Sequence, residues 1–279
     1  MCIFWGTTYL GIRIALEFFA PVTLVALRYL ISGGVLLIGA RVTGAHLPRG
    51  RELWLTALNG LLTIGIGNGA LSFSEQWIPS GLAALFIVLS PFWMVGIEAL
   101  IPGGEPLHWP AIAGLVVGLV GIAALVTPAE WRSPAVGGAF LLLQLGCAGW
   151  ALGSILQRNQ KTRAHPFTSG GVQQMATGLV YGAIALFAPT PHWNARGVSA
   201  ILYLAIFGGI IGYSSYLYAI EHLPIAVASI YTYINPIVAV ALGWLFYREP
   251  FGTREAAAMV LVFAGVAIVK AATSRRALK

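Results

Sequence analysis

Acidic residues are scarce in this chain. Among its 279 residues there is no aspartate, all nine acids are glutamates, and only 9% of positions are charged, where soluble domains carry about 25%. That leaves little material for carboxylate catalysis or for an oxygen cage around a hard cation. Cysteine is nearly absent as well. Cys2 and Cys147 both lie in apolar runs and offer neither a disulfide framework nor a CxxC pair. The five histidines, His46, His108, His165, His192 and His222, are scattered near the ends of apolar stretches, without metal-ligand spacing. No P-loop, no GxGxxG after a strand, no HExxH and no GxSxG occurs, so an energy-coupling ATPase and the common hydrolase signatures are missing. No cofactor, no metal and no enzymatic activity is expected. No basic leader with an A-x-A-like site marks a cleaved signal peptide.

What is plentiful is apolar. Hydrophobic residues make up 58% of the chain, and the 34 glycines come on top of that. A soluble fold could not hide so much apolar surface, so lipid is the expected solvent and the bilayer an expected partner. The net charge of +7 reads as topology rather than nucleic-acid binding, because Lys and Arg sit between the apolar runs. Breaks at Pro, Gly and charge clusters delimit ten spans, each near the length of about 20 residues that a bilayer requires: 2–19, 21–43, 52–76, 79–101, 107–127, 137–158, 166–188, 197–220, 224–247 and 252–272. With the N-terminus inside, Arg41, Arg49, Arg51, Arg158, Lys161, Arg163, Lys270, Arg275, Arg276 and Lys279 fall on the inner side, against Arg132, Arg196, Arg248 and Arg254 outside. This asymmetry predicts that both termini are cytoplasmic.

An internal repeat organises the spans. A shift of 145 residues carries Pro21 onto Pro166, Pro79 onto Pro224, Pro91 onto Pro236, Trp5 onto Trp150 and Arg13 onto Arg158. At a shift of 144, Glu105-Pro106 falls on Glu249-Pro250 and Gly121 on Gly265. The units are 1–127 and 137–272. Because five spans is an odd number, the second unit runs in the opposite sense, and inverted repeats are a hallmark of transporters that exchange inward and outward access.

Polar groups inside a span are costly unless they pair or line water. The third span presents Asn68, Ser72 and Glu75 on one helix face, which suits either a substrate-facing stripe or an interhelical hydrogen-bond ladder. Glycines beside Asn68 admit close helix packing or a cavity. In the eighth span Tyr213 is the counterpart of Asn68. The ninth carries Tyr231, Thr232 and Asn235 before Pro236, and Ser90-Pro91 is the matching point of the fourth. Each proline frees a carbonyl one turn earlier, so these points are either plain kinks or matched irregularities of a site. Trp5, Trp93 and Trp150 lie deep, as cavity wall or as symmetric packing. Arg28, two turns into the second span, faces three readings: snorkelling, a pair with Glu17, or a hold on a substrate carboxylate.

The stretches Phe4-Trp5-Gly6-Thr7-Thr8-Tyr9 with Arg13, Leu27-Arg28-Tyr29, Gly67-Asn68-Gly69, Glu75-Gln76-Trp77-Ile78-Pro79-Ser80-Gly81, Trp150-Ala151-Leu152-Gly153-Ser154, Tyr231-Thr232-Tyr233-Ile234-Asn235-Pro236 and Glu249-Pro250 together resemble an EamA-type permease of the drug/metabolite transporter superfamily. The resemblance covers nearly the whole chain. It implies an all-α fold of ten transmembrane helices in a 5+5 inverted repeat around a central cavity lined by the third, fourth, eighth and ninth helices. It also implies alternating access and export of amino acids, aromatic ones among them, or other small metabolites. The small four-helix multidrug relatives use a glutamate deep in their first span. This chain has only Glu17, near that span's outer end, which speaks against proton antiport of cationic drugs through it.

The leading expectation is a monomeric, multi-pass exporter of a bacterial inner membrane. Its substrate is expected to be held by Asn68, Ser72, Ser90, Trp93, Tyr213, Tyr231, Thr232 and Asn235, with Arg28 and Glu75 as candidates for gating or coupling. The alternative is a proton-coupled exporter of drugs, with Glu75 or Glu98 titrating. A lipid-modifying membrane enzyme would need an ionisable cluster at one membrane face, which the lack of aspartate disfavours.

Overall fold

The computed structural model describes residues 2–101, 109–125, 132–160, 162–222, 231–249 and 251–277. Glu105-Pro106, Pro224 and Pro250 of the offset matches, and Lys161 and Lys279 of the basic set, lie outside them. The described residues form helices and turns, with no strand among them. The helices are α1 (Cys2–Leu16), α2 (Pro21–Val42), α3 (Arg51–Gly60), α4 (Gly67–Ser74), α5 (Ser80–Ile87), α6 (Ser90–Leu100), α7 (Trp109–Leu125), α8 (Pro134–Asn159), α9 (Pro166–Ala185), α10 (Ala195–Tyr203), α11 (Ser214–His222), α12 (Tyr231–Tyr247) and α13 (Thr253–Ala277). Among the described residues, four stretches are long and apolar enough to cross a membrane: Pro21–Val42, Ser80–Leu100, Pro134–Asn159 and Ala195–His222.

Local sequence explains where the helices begin. Proline stands at the first turn of α2, α8 and α9, where its missing N–H costs nothing. Asn194 caps α10 by accepting from Gly197 N at 2.7 Å. Two stretches depart from α-geometry. Leu61–Ile66 joins α3 to α4, and Leu204–Tyr213 joins α10 to α11, both as wide π-helical turns, a device common at functional sites. Between α5 and α6 the chain turns at Val88–Leu89. Pro91 cannot donate to Ile87 O, and the Ser90 hydroxyl donates to that carbonyl instead, at 2.6 Å.

Packing depends on glycine at a few close approaches. A methyl group on Gly33 of α2 would lie 2.6 Å from Met175 N of α9, and one on Gly178 of α9 would lie 2.7 Å from Leu30 N of α2. The pair α7–α13 repeats the pattern: a methyl on Gly121 would lie 2.9 Å from Val262 N, and one on Gly265 2.5 Å from Gly118 N. Large apolar side chains such as Ile38, Leu141, Leu179 and Val260 stand exposed on the outer faces, while Ser32, Gln173, Gln174 and Thr177 are fully buried. This inside-out distribution suits an apolar solvent.

Candidate substrate cavity

A cavity lies at the centre of the bundle, where both halves of the chain meet. Its wall takes Trp5, Thr8 and Tyr9 from α1, Arg28 and Tyr29 from α2, and Gly67, Asn68 and Leu71 from α4. Ile87, Val88 and Ser90 come from the α5–α6 break, and Cys147 and Trp150 from α8. The second π-helical stretch gives Gly208 and Tyr213, and α12 gives Tyr231, Thr232, Asn235 and Pro236. The two irregular stretches and the two proline points therefore converge on it.

Six of the eight binding residues read from the sequence line this cavity, and so does Arg28. Ser72 and Trp93 do not. The stripe facing the cavity runs Ile64, Gly67, Asn68, Leu71; Ser72 falls off its edge, fully buried, with a hydroxyl that has no partner. Trp93 lies past the turn at Pro91 on the outer flank of α6, 37% exposed, and donates to Gln144 Oε1 at 3.0 Å. Trp5 and Trp150, left open between wall and packing, are wall residues. They meet edge-on at 5.5 Å, and Tyr231 stands edge-on to Trp5 at 5.0 Å. Trp5 Nε1 donates to Gly208 O at 3.1 Å, and Trp150 Nε1 to Tyr216 Oη at 3.1 Å. Their polar edges are thus occupied, and the pair adds aromatic surface to the wall.

The pair Arg28–Glu17 does not form. Glu17 sits on the turn after α1 and binds Arg196 at 3.2 Å and the Tyr247 hydroxyl. Arg28 points inward instead and is 3% exposed. Its Nη1 approaches Asn68 Oδ1 at 3.4 Å, and its Nε has no partner. Snorkelling is excluded by the same burial.

A network that single-residue patterns do not announce stands on the Arg51 side of the cavity. Tyr213 Oη donates to Gln173 Oε1 at 2.5 Å and meets Thr63 Oγ1 at 2.8 Å. Gln173 Nε2 donates to Gln157 Oε1 at 2.7 Å, which also accepts from Asn59 Nδ2 at 3.2 Å. Beyond it the Glu52 carboxylate accepts from Thr162 Oγ1 at 2.6 Å and from Arg163 N at 2.9 Å, tying the start of α3 to the connection between α8 and α9. At the opposite end Arg13 Nη1 donates to Glu75 O at 2.5 Å. Glu249 accepts from Ser80 N, Ser80 Oγ and Gly81 N at 2.9, 2.9 and 3.0 Å, capping α5. Glu75 itself is fully buried, and both its carboxyl oxygens lack a partner. Glu98 faces away from the cavity, 3.8 Å from Arg158 at the periphery. No group of three or more His, Cys, Asp or Glu with metal-binding geometry occurs among the described residues.

Comparison with known proteins gives these features a context. The chain is 34% identical over 272 residues to the inner membrane transporter YedA of Escherichia coli (strain K12), covering 95% of this chain and 87% of that protein. It is 25% identical to the probable terminal-alkyne amino-acid exporter of Streptantibioticus cattleyicolor, over 98% of this chain and 91% of that one. Protein PecM of Dickeya dadantii is 26% identical over 95% of the chain. One crystallised protein superposes with a TM-score of 0.72 over 96% of this chain and 94% of its own, at 20% identity, which speaks to fold alone. The profile of the EamA-like transporter family matches twice, at residues 1–127 and 137–271. The chain is therefore a member of the EamA-like transporter family, within the drug/metabolite transporter superfamily.

Proposed function

We propose that the protein exports amino acids, aromatic ones among them, or metabolites of similar size, across a bacterial inner membrane by alternating access. The reading has ten spans in two inverted units, 1–127 and 137–272, and both termini in the cytoplasm. Reciprocal contacts support the two units: shifting by 145 turns the pair Gly33–Met175 into Gly178–Leu30, and shifting by 144 turns Gly121–Val262 into Gly265–Gly118. The π-helical stretches also correspond, 61–66 falling within 204–213. Two copies of one unit that pack on each other can trade conformations, and the trade moves access from one end of the cavity to the other.

The observation that carries the substrate class is the cavity wall. It combines aromatic faces for an apolar side chain with amides and hydroxyls at Asn68, Ser90, Tyr213, Thr232 and Asn235 for the polar groups of the substrate. Among the described residues the one charge that lines the cavity is positive, on Arg28, which disfavours cationic drugs. To test the reading, purified protein in liposomes is given a panel of labelled amino acids. Uptake of at least one, above that of empty vesicles, is expected; uptake of none contradicts it.

Glu75 is the proposed coupling residue. Its two carboxyl oxygens are buried without a partner, and opening of the Glu249 end would bring water to them. The charged and titratable groups around it are Glu249, Arg13, Arg28 and Tyr9. Transport is expected to respond to an imposed pH gradient, and Glu75→Gln is expected to abolish that response. A flux that ignores the gradient in the unmodified protein would rule out this role.

A further inference from the structure

The two halves treat one pair of positions differently. On the two-unit reading above, on which this inference rests, Gln173 is the counterpart of Arg28, and Tyr213 the counterpart of Asn68. In the second half the members of the pair bond to each other and to neighbouring side chains. Tyr213 donates to Gln173, Gln173 donates to Gln157, and Thr63 meets the tyrosine hydroxyl. In the first half each supporting position is lost. Gln157 corresponds to Ile12, and Thr63 to Gly208. Neither can accept through a side chain, so Arg28 keeps one long hydrogen bond to Asn68, a stacking contact on the Tyr29 ring at 4.9 Å and an unpartnered Nε.

An arginine cannot shed its charge in a protein, and a buried charge is stable only when paired. Among the described residues Arg28 forms no ion pair. The nearby carboxyl of Glu75 leaves both its oxygens unpartnered, so it does not serve. The guanidinium borders the central cavity that Trp5 and Trp150 also line, and among the described residues no carboxylate lines that cavity. Gly208 keeps the approach open: a methyl group there would lie 2.5 Å from Arg28 Nη2. A planar fork that borders a cavity of aromatic rings and keeps a buried, unpartnered Nε matches one ligand group above others, a carboxylate bound through two parallel hydrogen bonds.

We propose that Arg28 is the specificity-determining residue of the cavity, that it binds the carboxylate of the substrate, and that the carboxylate is the one charged group the site requires. The substrate class is then an organic acid with an apolar or aromatic body. An α-ammonium is tolerated but has no anionic partner among the lining residues, so it is dispensable.

Isothermal titration of the purified protein with three probes sharing a phenylethyl body tests this: 3-phenylpropionate, 3-phenylpropionamide and phenethylamine. The acid is expected to bind at least about tenfold tighter than either the amide or the amine. Arg28→Gln is expected to erase that advantage, weakening the acid far more than the amide, and an unfolding midpoint in detergent close to that of the unmodified protein reports that the variant is folded. Phenethylamine binding as tightly as the acid, a carboxylate advantage that survives Arg28→Gln, or no binding by any of the three overturns the proposal. The broader reading fails separately, by the absence of amino-acid uptake in vesicles. Amino-acid uptake together with tight phenethylamine binding would keep that reading and sink this one.

Discussion

Replacing Gly178 with valine is expected to destabilise the protein by more than about 3 kcal/mol, at or beyond the upper end of usual overpacking costs. Gly178 faces the backbone of Tyr29 and Leu30 together with the Leu30 Cγ. A methyl group there would stand 2.7 Å from Leu30 N and 3.0 Å from Tyr29 C, distances that can relax only if α2 and α9 move apart. In lipid, helix association depends on such contacts, because apolar burial between helices gains little. Gly33→Val, at the reciprocal position, is expected to cost as much, since its neighbours are the backbone of Gln174 and Met175. Gly39→Ala on the same α2 is the control. Nothing lies within 4 Å of a methyl group at Gly39, so the change is expected to stabilise by about 0.5–1 kcal/mol through helix propensity alone. Thermal unfolding in detergent separates the three. Equal midpoints for Gly178→Val and the unmodified protein would remove the close α2–α9 approach from the account.

The second large effect is expected at Glu249. Its carboxylate, at the end of α12, caps α5 through the two backbone N–H groups of Ser80 and Gly81 and the Ser80 hydroxyl. Ser80 is fully buried, so Glu249→Ala strands donors that water cannot reach. Charge-assisted bonds at a helix N-terminus are among the stronger ones. The loss should be about 2–4 kcal/mol, a cap plus one further unsatisfied donor. Glu249→Gln keeps an acceptor and should lose about half of that. Glu249→Asp is one methylene shorter and should fall nearer to the alanine variant. Unfolding midpoints in the order native, Gln, Asp, Ala are the expected result. An alanine variant as stable as the native protein would mean that the cap carries no weight.

Much of this architecture was legible in the residues. Apolar run length and proline punctuation placed several helix starts within a few residues, at Pro21, Arg51, Ser80, Pro166 and Thr253, because proline and charge interrupt helical apolar runs. The irregular point at Ser90-Pro91 was readable for the same reason: a proline must free a carbonyl, and the serine hydroxyl takes it. What failed was direction. In helices apolar on all sides, spacing ranks faces poorly, so Ser72 and Trp93 were grouped with Asn68 and Ser90 although they fall outside the cavity. Arg28 and Glu17 are close along the chain, but the orientation of α2 turns the guanidinium inward and leaves Glu17 to Arg196. The amide network of Asn59, Gln157 and Gln173 draws one residue from each of three helices. No local pattern announces such a network. The 145-residue offset could have found part of it, by setting Gln173 beside Arg28 and asking why one is charged.

The central claim is that the two halves exchange access around one cavity, and distances across its two ends test this most directly. Spin labels at Arg49 and Arg163 report on the Glu52 end, and labels at Gln76 and Ala195 on the Glu249 end; all four positions are exposed. In a cysteine-free background in lipid discs, a transported substrate is expected to shift the two distances in opposite senses, one pair separating as the other draws together. If both distances stay fixed, or both open together, while the labelled protein still transports, the alternating-access account is wrong.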